Sequence, residues 1–553
     1  MAFKSVLLVL FIALNFVIAA QHPYQVPRRY RFDRPQYEER HNIKRSPSGP
    51  PASNSTNKFL TSKTEKFAVN GSAIPEVDFD MGESENGPFT WMGGTAKPVR
   101  NAYDWRNLTN VLWIEQPVGM GFTQGNVSIT DEDGLAKQFV GFYEQFIKTF
   151  DIQGYGLYLT GESYAGIYIP YIGAEVLARN CSDYTLKGII INDPLLSDVT
   201  TGLQIMKKDF WFSYQNLYGF NTTTLVNVTT RHLECQYDTY IKSYFTFPPP
   251  QKAFPILPNA FSDRPQIERC DIHSFMSQAA ELLNPCFNIY HITETCPYVT
   301  SALGGDGKDP KTAYFNRTDV QAALHVPENW AWTFCAPEEK PVFLNAENRT
   351  GMKFGLSADD QSAPVGQTDV LTRIIEATNN VIIGGGNIDA DLAPNSTLLS
   401  LQNITWNGFQ GFKEYPNQNS FYVPSLPYEW NFDSLSISGI VGSWGHERGL
   451  TFFQVTRAGH MVPADAPGAY FRLVELMLGR IGSLSERRTF TSLEEKVPKN
   501  ESESWDVGFL VKEDEGVPVW DAFEVEEMVR KSWVLRGPAT LELWCNDNHN
   551  KLQ

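Results

Sequence analysis

Apolar residues along the middle of the chain follow two alternating rhythms. Short, nearly unbroken runs recur: NVLWIEQPV (110–118), GLYLT (156–160), LKGIIIND (186–193) and NVIIGG (380–385). Their length and β-branched content are those of strands buried on both faces. Between them, apolar residues fall three and four apart. GLAKQFVGFYEQFIKTF (134–150) predicts an amphipathic helix, and YAGIYIPYIGAEVLARN (164–180) a second one, bent at Pro170. Strands of this kind alternating with helices predict an α/β fold: a mostly parallel central sheet flanked by helices, spanning about 65–480.

Residues 200–335 interrupt that rhythm. They hold five of the seven cysteines, the proline-rich run FPPPQKAFPILP and helical pieces, so they are expected to form a cap inserted into the core. The core is thereby divided into 65–199 and 336–480. Residues 481–553 are polar and charged, with one amphipathic piece near WDAFEVEEMVRKSW; they form a tail whose pattern specifies no packed core.

The first residues read as an address. Lys4 precedes VLLVLFIALNFVIAA, which closes on Ala19 and Ala20, so 1–20 is expected to be a cleaved signal peptide. No later apolar run is long enough to span a bilayer, so no integral membrane segment is expected after cleavage. Residues 21–45 are basic and end in Lys44–Arg45. They read as a pro-segment with a dibasic cut, or equally as an uncleaved arm; 46–64 is a linker.

Charge narrows the partners. The formal net charge is −17, which repels phosphate backbones and excludes nucleic acid as a partner class. N-x-Ser/Thr acceptors for glycans occur at Asn54, Asn70, Asn107, Asn126, Asn180, Asn221, Asn227, Asn316, Asn348, Asn395, Asn403 and Asn500. With the leader they predict a glycoprotein of the secretory pathway, extracellular or vacuolar. Cysteines in such a chain mostly pair, but seven is odd, so at least one thiol is left over. No C-x-x-C or His/Cys ligand spacing is present, and neither a metal nor another cofactor is expected.

The chemistry centres on YLTGESYAGIYIP (158–170), where Ser163 sits between a strand and a helix with Gly161, Ala165 and Gly166 around it. A serine hydroxyl needs a base, exposure and donors for the developing oxyanion. A sharp strand–serine–helix elbow supplies exposure, demands small neighbours, and aims the next N–H, that of Tyr164, at the reacting oxygen. Alone, such a string also arises by chance. An acid and then a histidine should follow. Asp389 lies just past a strand in VIIGGGNIDADLAPN, with Asp391 close enough to compete. His460 follows Gly459 in VTRAGHMVPADAPGAYFRL. Singly, each is equally a turn or structural residue; in this order, each past a strand, they point to nucleophilic catalysis.

At these residues the chain resembles the serine carboxypeptidases, a branch of the α/β-hydrolases. GESYAGIYIP resembles the family's nucleophile motif, TRAGHMVPADAP its histidine motif, and NAYDWRNLTNVLWIEQPVGMGFT its WxxxxNVLxxxQPxGxGF stretch. ENGPFTW (85–91) and GGGNIDADLAPN (384–395) match more loosely. The resemblance implies release of single residues from peptide or protein C-termini in acid. Ser163 would be nucleophile, His460 general base then acid, and Asp389 the residue orienting His460. Glu162 and Glu85 would bind the substrate's terminal carboxylate, and Met461 would line the leaving-residue pocket. Two carboxyls held close share protons in acid and donate to a carboxylate; at higher pH they repel it. Without the resemblance, Glu162 reads equally as a locally satisfied side chain, Glu85 as a surface charge and Met461 as packing.

The chain also departs from the family. A block like WLNGGPGCSS, which supplies the second oxyanion N–H, should precede ENGP. Here DFDMGES runs directly into ENGPF at Ser84–Glu85, as if early strands had been deleted. Cys335 matches the family position that pairs with the missing block's cysteine, which makes it the expected odd thiol; Cys545 competes. Two alternatives stay open: an impaired secreted glycoprotein, and an acyltransferase on the same scaffold.

Overall fold

The structure, a computed structural model, describes residues 5–11, 61–68, 89–91, 98–258, 269–296, 313–327, 330–333, 342–344, 360–425 and 438–494. Its centre is a sheet of eight strands. In chain order the strands of the fold are β1 (Ser5–Phe11), β2 (Phe89–Trp91), β3 (Pro98–Arg100), β4 (Asn110–Glu115), β5 (Tyr155–Glu162), β6 (Tyr184–Asn192), β7 (Val381–Gly386), β8 (Thr405–Trp406), β9 (Phe409–Gln410), β10 (Asn419–Val423), β11 (Gly439–Glu447) and β12 (Leu450–Val455). The spatial order of the large sheet is β10-β11-β12-β7-β6-β5-β1-β4. From β12 to β4 every pairing is parallel, and β11 pairs antiparallel with both neighbours.

The expected strands and helices are present, with ends shifted by a few residues. Helix α1 (Glu132–Phe150) starts where the Asp131 side chain accepts from the Gly134 N–H, and α2 (Ala165–Arg179) contains Pro170. In the middle of the sheet, β7 and the second half of β6 are apolar because each face is covered. Ile189 and Ile191 of β6 point into one core with α1 and α2; Ile190 points into the other. In β7, Val381 and Ile383 divide from Ile382 in the same way. The period-two geometry of a strand makes a continuous apolar run necessary here.

The cap is a helical layer with its own core. It includes α3 (Lys207–Ser213), α4 (Thr222–Glu234), α5 (Tyr237–Tyr244) and α6 (Ile272–Leu283), packed around Trp211, Tyr237, Ile272 and Met276. Disulfides Cys235–Cys270 and Cys286–Cys296 staple it. Among the described residues the free thiol is Cys181; Cys335 and Cys545, the expected candidates, lie outside them. Helices α7 (Val370–Thr378), α8 (Pro394–Gln402) and α9 (Pro467–Met477) complete the layers. The 481–553 tail is described as far as Glu494.

One placement was not anticipated. Ser5–Phe11, expected in a cleaved leader, forms β1 between β5 and β4, and pairs with both along its length. No segment between 65 and 480 fills that interior slot among the described residues. A continuous run of Val and Leu suits a parallel strand inside a sheet as well as it suits a leader, and periodicity alone does not separate the two. The pro-segment, 21–45, lies outside the described residues. Among those described, no helix is long and apolar enough to cross a membrane.

Candidate active site

The carboxyl ends of β5, β6, β7 and β12 lie side by side at one edge of the sheet, and the residues of interest follow directly from them. Ser163 leaves β5 with φ 63°, in the left-handed region. Its N–H donates to the Asn192 carbonyl at 3.1 Å, and its carbonyl accepts from the N–H groups of Gly166 (2.9 Å) and Leu195 (3.0 Å). A Cβ on Gly166 would strike the Leu195 carbonyl, so the small-residue pattern around the serine is a steric requirement. Tyr164 opens α2, where first-turn N–H groups lack intrahelical acceptors. The Tyr164 hydroxyl donates to Asp360 Oδ2 at 2.7 Å, which anchors the elbow from below.

Asp389 is the acid that meets the histidine. His460 Nδ1 lies 2.7 Å from Asp389 Oδ2, and both residues are buried. The Asp389 carboxylate also accepts from the N–H groups of Asp391 (2.7 Å) and Leu392 (3.1 Å). Asp391 points elsewhere: its Oδ1 is 3.6 Å from His273 Nε2, and its carbonyl, with that of Ala390, receives the buried Lys207 ammonium. The cap braces the histidine too. The His460 N–H donates to the Tyr290 carbonyl at 2.7 Å, and the two rings are 5.0 Å apart.

Ser163 Oγ and His460 Nε2 are both buried, and neither has a hydrogen-bond partner among the described residues. The serine–imidazole bond is therefore not made in this state, which is common in ligand-free enzymes. The two residues are linked through Asn192, whose carbonyl accepts from the Ser163 N–H and whose amide donates to the His460 carbonyl (3.2 Å) and to Glu162 Oε2 (2.7 Å).

Burial pushes the Glu162 carboxyl up to about 7; His460 and Asn192 oppose the shift, and Asp465 and Asp389 add to it. Glu162 retains some solvent contact although protein atoms crowd its carboxyl. Burial lowers the His460 proton affinity, but the charge and hydrogen bond of Asp389, then Glu162 and Asp391, outweigh it and raise the pKa to about 9. Part of that pull disappears in acid, because Asp391 is itself raised to about 6, by burial first.

Other assignments fall as follows. Met461 is 40% exposed beside His460. Glu85 lies outside the described residues, as do Asn54, Asn70, Asn348 and Asn500. Asn126, Asn180, Asn221 and Asn227 are exposed. Asn107, Asn316 and Asn403 donate their amide hydrogens to carbonyls, and Asn395 accepts from the Tyr415 hydroxyl, so these four are already engaged. Sequence reasoning missed Asn192, Asp193 and Lys207. The signal for the first two was a polar pair ending the apolar run LKGIII; for Lys207 there was none. Asp193, Asp389 and His460 cluster closely enough to suggest metal ligands, but the imidazole Nδ1 is already committed to Asp389.

A parallel sheet carrying an elbow serine at one strand end, with a buried acid–histidine pair at its neighbours, has the architecture of an α/β-hydrolase. The chain belongs to the serine carboxypeptidase family, whose sequence pattern matches residues 82–480. It is 34% identical over 496 residues to a probable serine carboxypeptidase of Arthroderma benhamiae, covering 77% of this chain and 89% of that one. It is 36% identical over 414 residues to serine-type carboxypeptidase F of Aspergillus niger, covering 72% and 75%. The crystal structure of Kex1, a prohormone-processing carboxypeptidase from Saccharomyces cerevisiae, superposes with a TM-score of 0.50 at 20% identity, covering 74% and 82%; that likeness concerns the fold.

Proposed function

We propose that this chain is built to release C-terminal residues from peptides in acid through an acyl-enzyme on Ser163. The observation that carries the reading is the 2.7 Å bond from His460 Nδ1 to Asp389, set beside the β5 elbow. With Nδ1–H held by Asp389, Nε2 is the free base. It removes the proton from Ser163 Oγ as the oxygen attacks the scissile carbonyl, then returns a proton to the leaving amine. The Tyr164 N–H faces the oxyanion. Glu162, neutral below about 7, donates to the substrate's terminal carboxylate, with Glu85 as its partner.

The test is a fluorophosphonate probe on the full chain, followed by turnover of a blocked dipeptide near pH 5. Labelling should vanish in Ser163→Ala. A chain whose label sits on any other residue would end this reading.

A specific observation also favours an impaired form. DFDMGES runs directly into ENGPF, without the block that would supply the second oxyanion donor, and loss of one such donor typically lowers the rate about a hundred- to a thousandfold. Residues 1–20 direct the chain into the secretory pathway, and Asn126, Asn180, Asn221 and Asn227 are the accessible glycan sites. Leader removal empties the slot that β1 holds between β5 and β4, so export weakens the sheet. Inserting the family block should raise both secreted yield and turnover; no gain in either would reject the deletion.

A further inference from the structure

Asp193, the first residue past β6, has no established part in the chemistry above, yet its carboxyl faces the acid–histidine pair. It adopts φ 45°, a left-handed conformation that glycine takes without strain. Its N–H donates to the Gly384 carbonyl at 2.7 Å, and its Oδ1 accepts from the Gly386 N–H at 3.0 Å. Its carboxyl fills the space where a Cβ on Gly385 would stand. The residue is fully buried, and Oδ2 has no hydrogen-bond partner among the described residues. One oxygen of Asp193, one of Asp389 and one nitrogen of His460 lie within 4.8 Å of one another. A strained backbone carrying a buried, half-satisfied carboxyl is a poor choice for packing alone.

We propose that Asp193 is a positioning residue: a neutral carboxylic acid that directs its proton toward Asp389, shares that residue's negative charge, and so lowers the pH at which the His460 imidazole becomes a free base. This rests on the serine-hydrolase reading above.

The groups facing Asp193 explain its neutrality. From β5 comes Glu162, and from β6 the amide of Asn192. The loop after β7 brings Asp389, and the loop after β12 brings His460. The cap's cation, Lys207, spends its ammonium on the carbonyls of Ala390 and Asp391. Asp389 holds the ionised state best, since it receives the imidazole N–H and two backbone N–H groups. Burial first, then the charges of Asp389 and Glu162, hold the Asp193 carboxyl well above the usual range. With an oxygen of each carboxyl within 4.8 Å of the other, a neutral Asp193 can turn its O–H toward Asp389. Charge drawn away from Asp389 weakens its hold on the imidazolium proton. Glu162 binds a carboxylate only when protonated, so any fall in the His460 proton affinity widens the pH range in which donor and base coexist.

The test is the pH dependence of fluorophosphonate labelling in the full wild-type chain, Asp193→Gly and Asp193→Asn, since the midpoint of the acid limb reports His460. Asp193→Gly should move that midpoint up by about one pH unit, slowing labelling at pH 5 about tenfold, with the high-pH plateau within about threefold. Asn keeps an N–H donor at the same place and should hold the midpoint within about 0.3 units. An unmoved midpoint in Asp193→Gly, a downward shift, or a shift in Asp193→Asn overturns the inference alone. A wild-type chain that does not label at Ser163 overturns the hydrolase reading with it.

Discussion

Adding a single methyl group at Gly386 tests the site geometry without touching any catalytic side chain. Gly386 ends β7, three residues before Asp389. A Cβ there would stand well inside 3.0 Å of the Gly459 and Ala458 carbonyl oxygens, both backbone atoms of the loop that carries His460. Neither can rotate away as a side chain can, so the two loops must part by roughly 1 Å to restore ordinary contact, at an overpacking cost of about 1–3 kcal/mol. The same movement stretches the 2.7 Å His460–Asp389 bond and pulls on the 3.0 Å link from Gly386 to Asp193. A misplacement of about 1 Å in a reacting constellation lowers rates about a hundredfold. Gly386→Ala should therefore label with fluorophosphonate about a hundred times more slowly, with its urea midpoint reduced. The control is Gly219→Ala. Gly219 has φ +62° and nothing within 4 Å of its added Cβ. Alanine there loses about 1 kcal/mol to backbone strain but leaves the site alone. Gly386→Ala labelling at the wild-type rate, with no greater stability loss than Gly219→Ala, would refute the steric coupling of the two loops.

On the role proposed for Glu162, in which the neutral acid raised to about 7 is the donor, Glu162→Gln should raise KM for blocked dipeptides about tenfold and remove the decline in kcat/KM above pH 7; steady-state kinetics from pH 4 to 8 decide this. Stability should fall between pH 6.5 and 8. The folded chain there keeps protons that the unfolded chain has lost, on Glu162, on the buried Glu132 and Asp193, whose pKa values burial raises first, and on His460, raised to about 9. Each such proton contributes a slope of roughly 1.4 kcal/mol per pH unit. Among groups shifted the other way, His232 (lowered to about 4) acts below this window, and Lys207 (lowered to about 8) acts above it. Urea midpoints that rise with pH across the window would reverse the sign. Lys207→Met should leave the carbonyls of Ala390 and Asp391 without their donor, at about 1–3 kcal/mol each, and slow labelling as well as lowering the urea midpoint.

The sequence by itself determined the layers, and it did so through local physics. Runs such as GIII and VIIGG are apolar at every position, so they had to be strands covered on both faces, and the α1 pattern had to lie against them. It also determined the elbow, because Gly161, Ser163 and Gly166 meet a steric demand within a few residues of chain. Asp389 and His460 were legible as candidates through their positions past strands, but choosing Asp389 over Asp391 was a matter of distance in space, settled by 2.7 Å to the imidazole. Three features were decided only by the tertiary structure. Lys207 reaches the loop after β7 from the cap, and no local pattern records a contact between residues more than 180 positions apart. Asp193 gains its meaning from the neighbours that three strand ends bring around it. The run VLLVLF is compatible with a leader and with an interior strand alike, and only the empty slot between β5 and β4 gives it the second role. Periodicity reports which faces are covered; what covers them, and which charges then meet, depends on how distant segments pack.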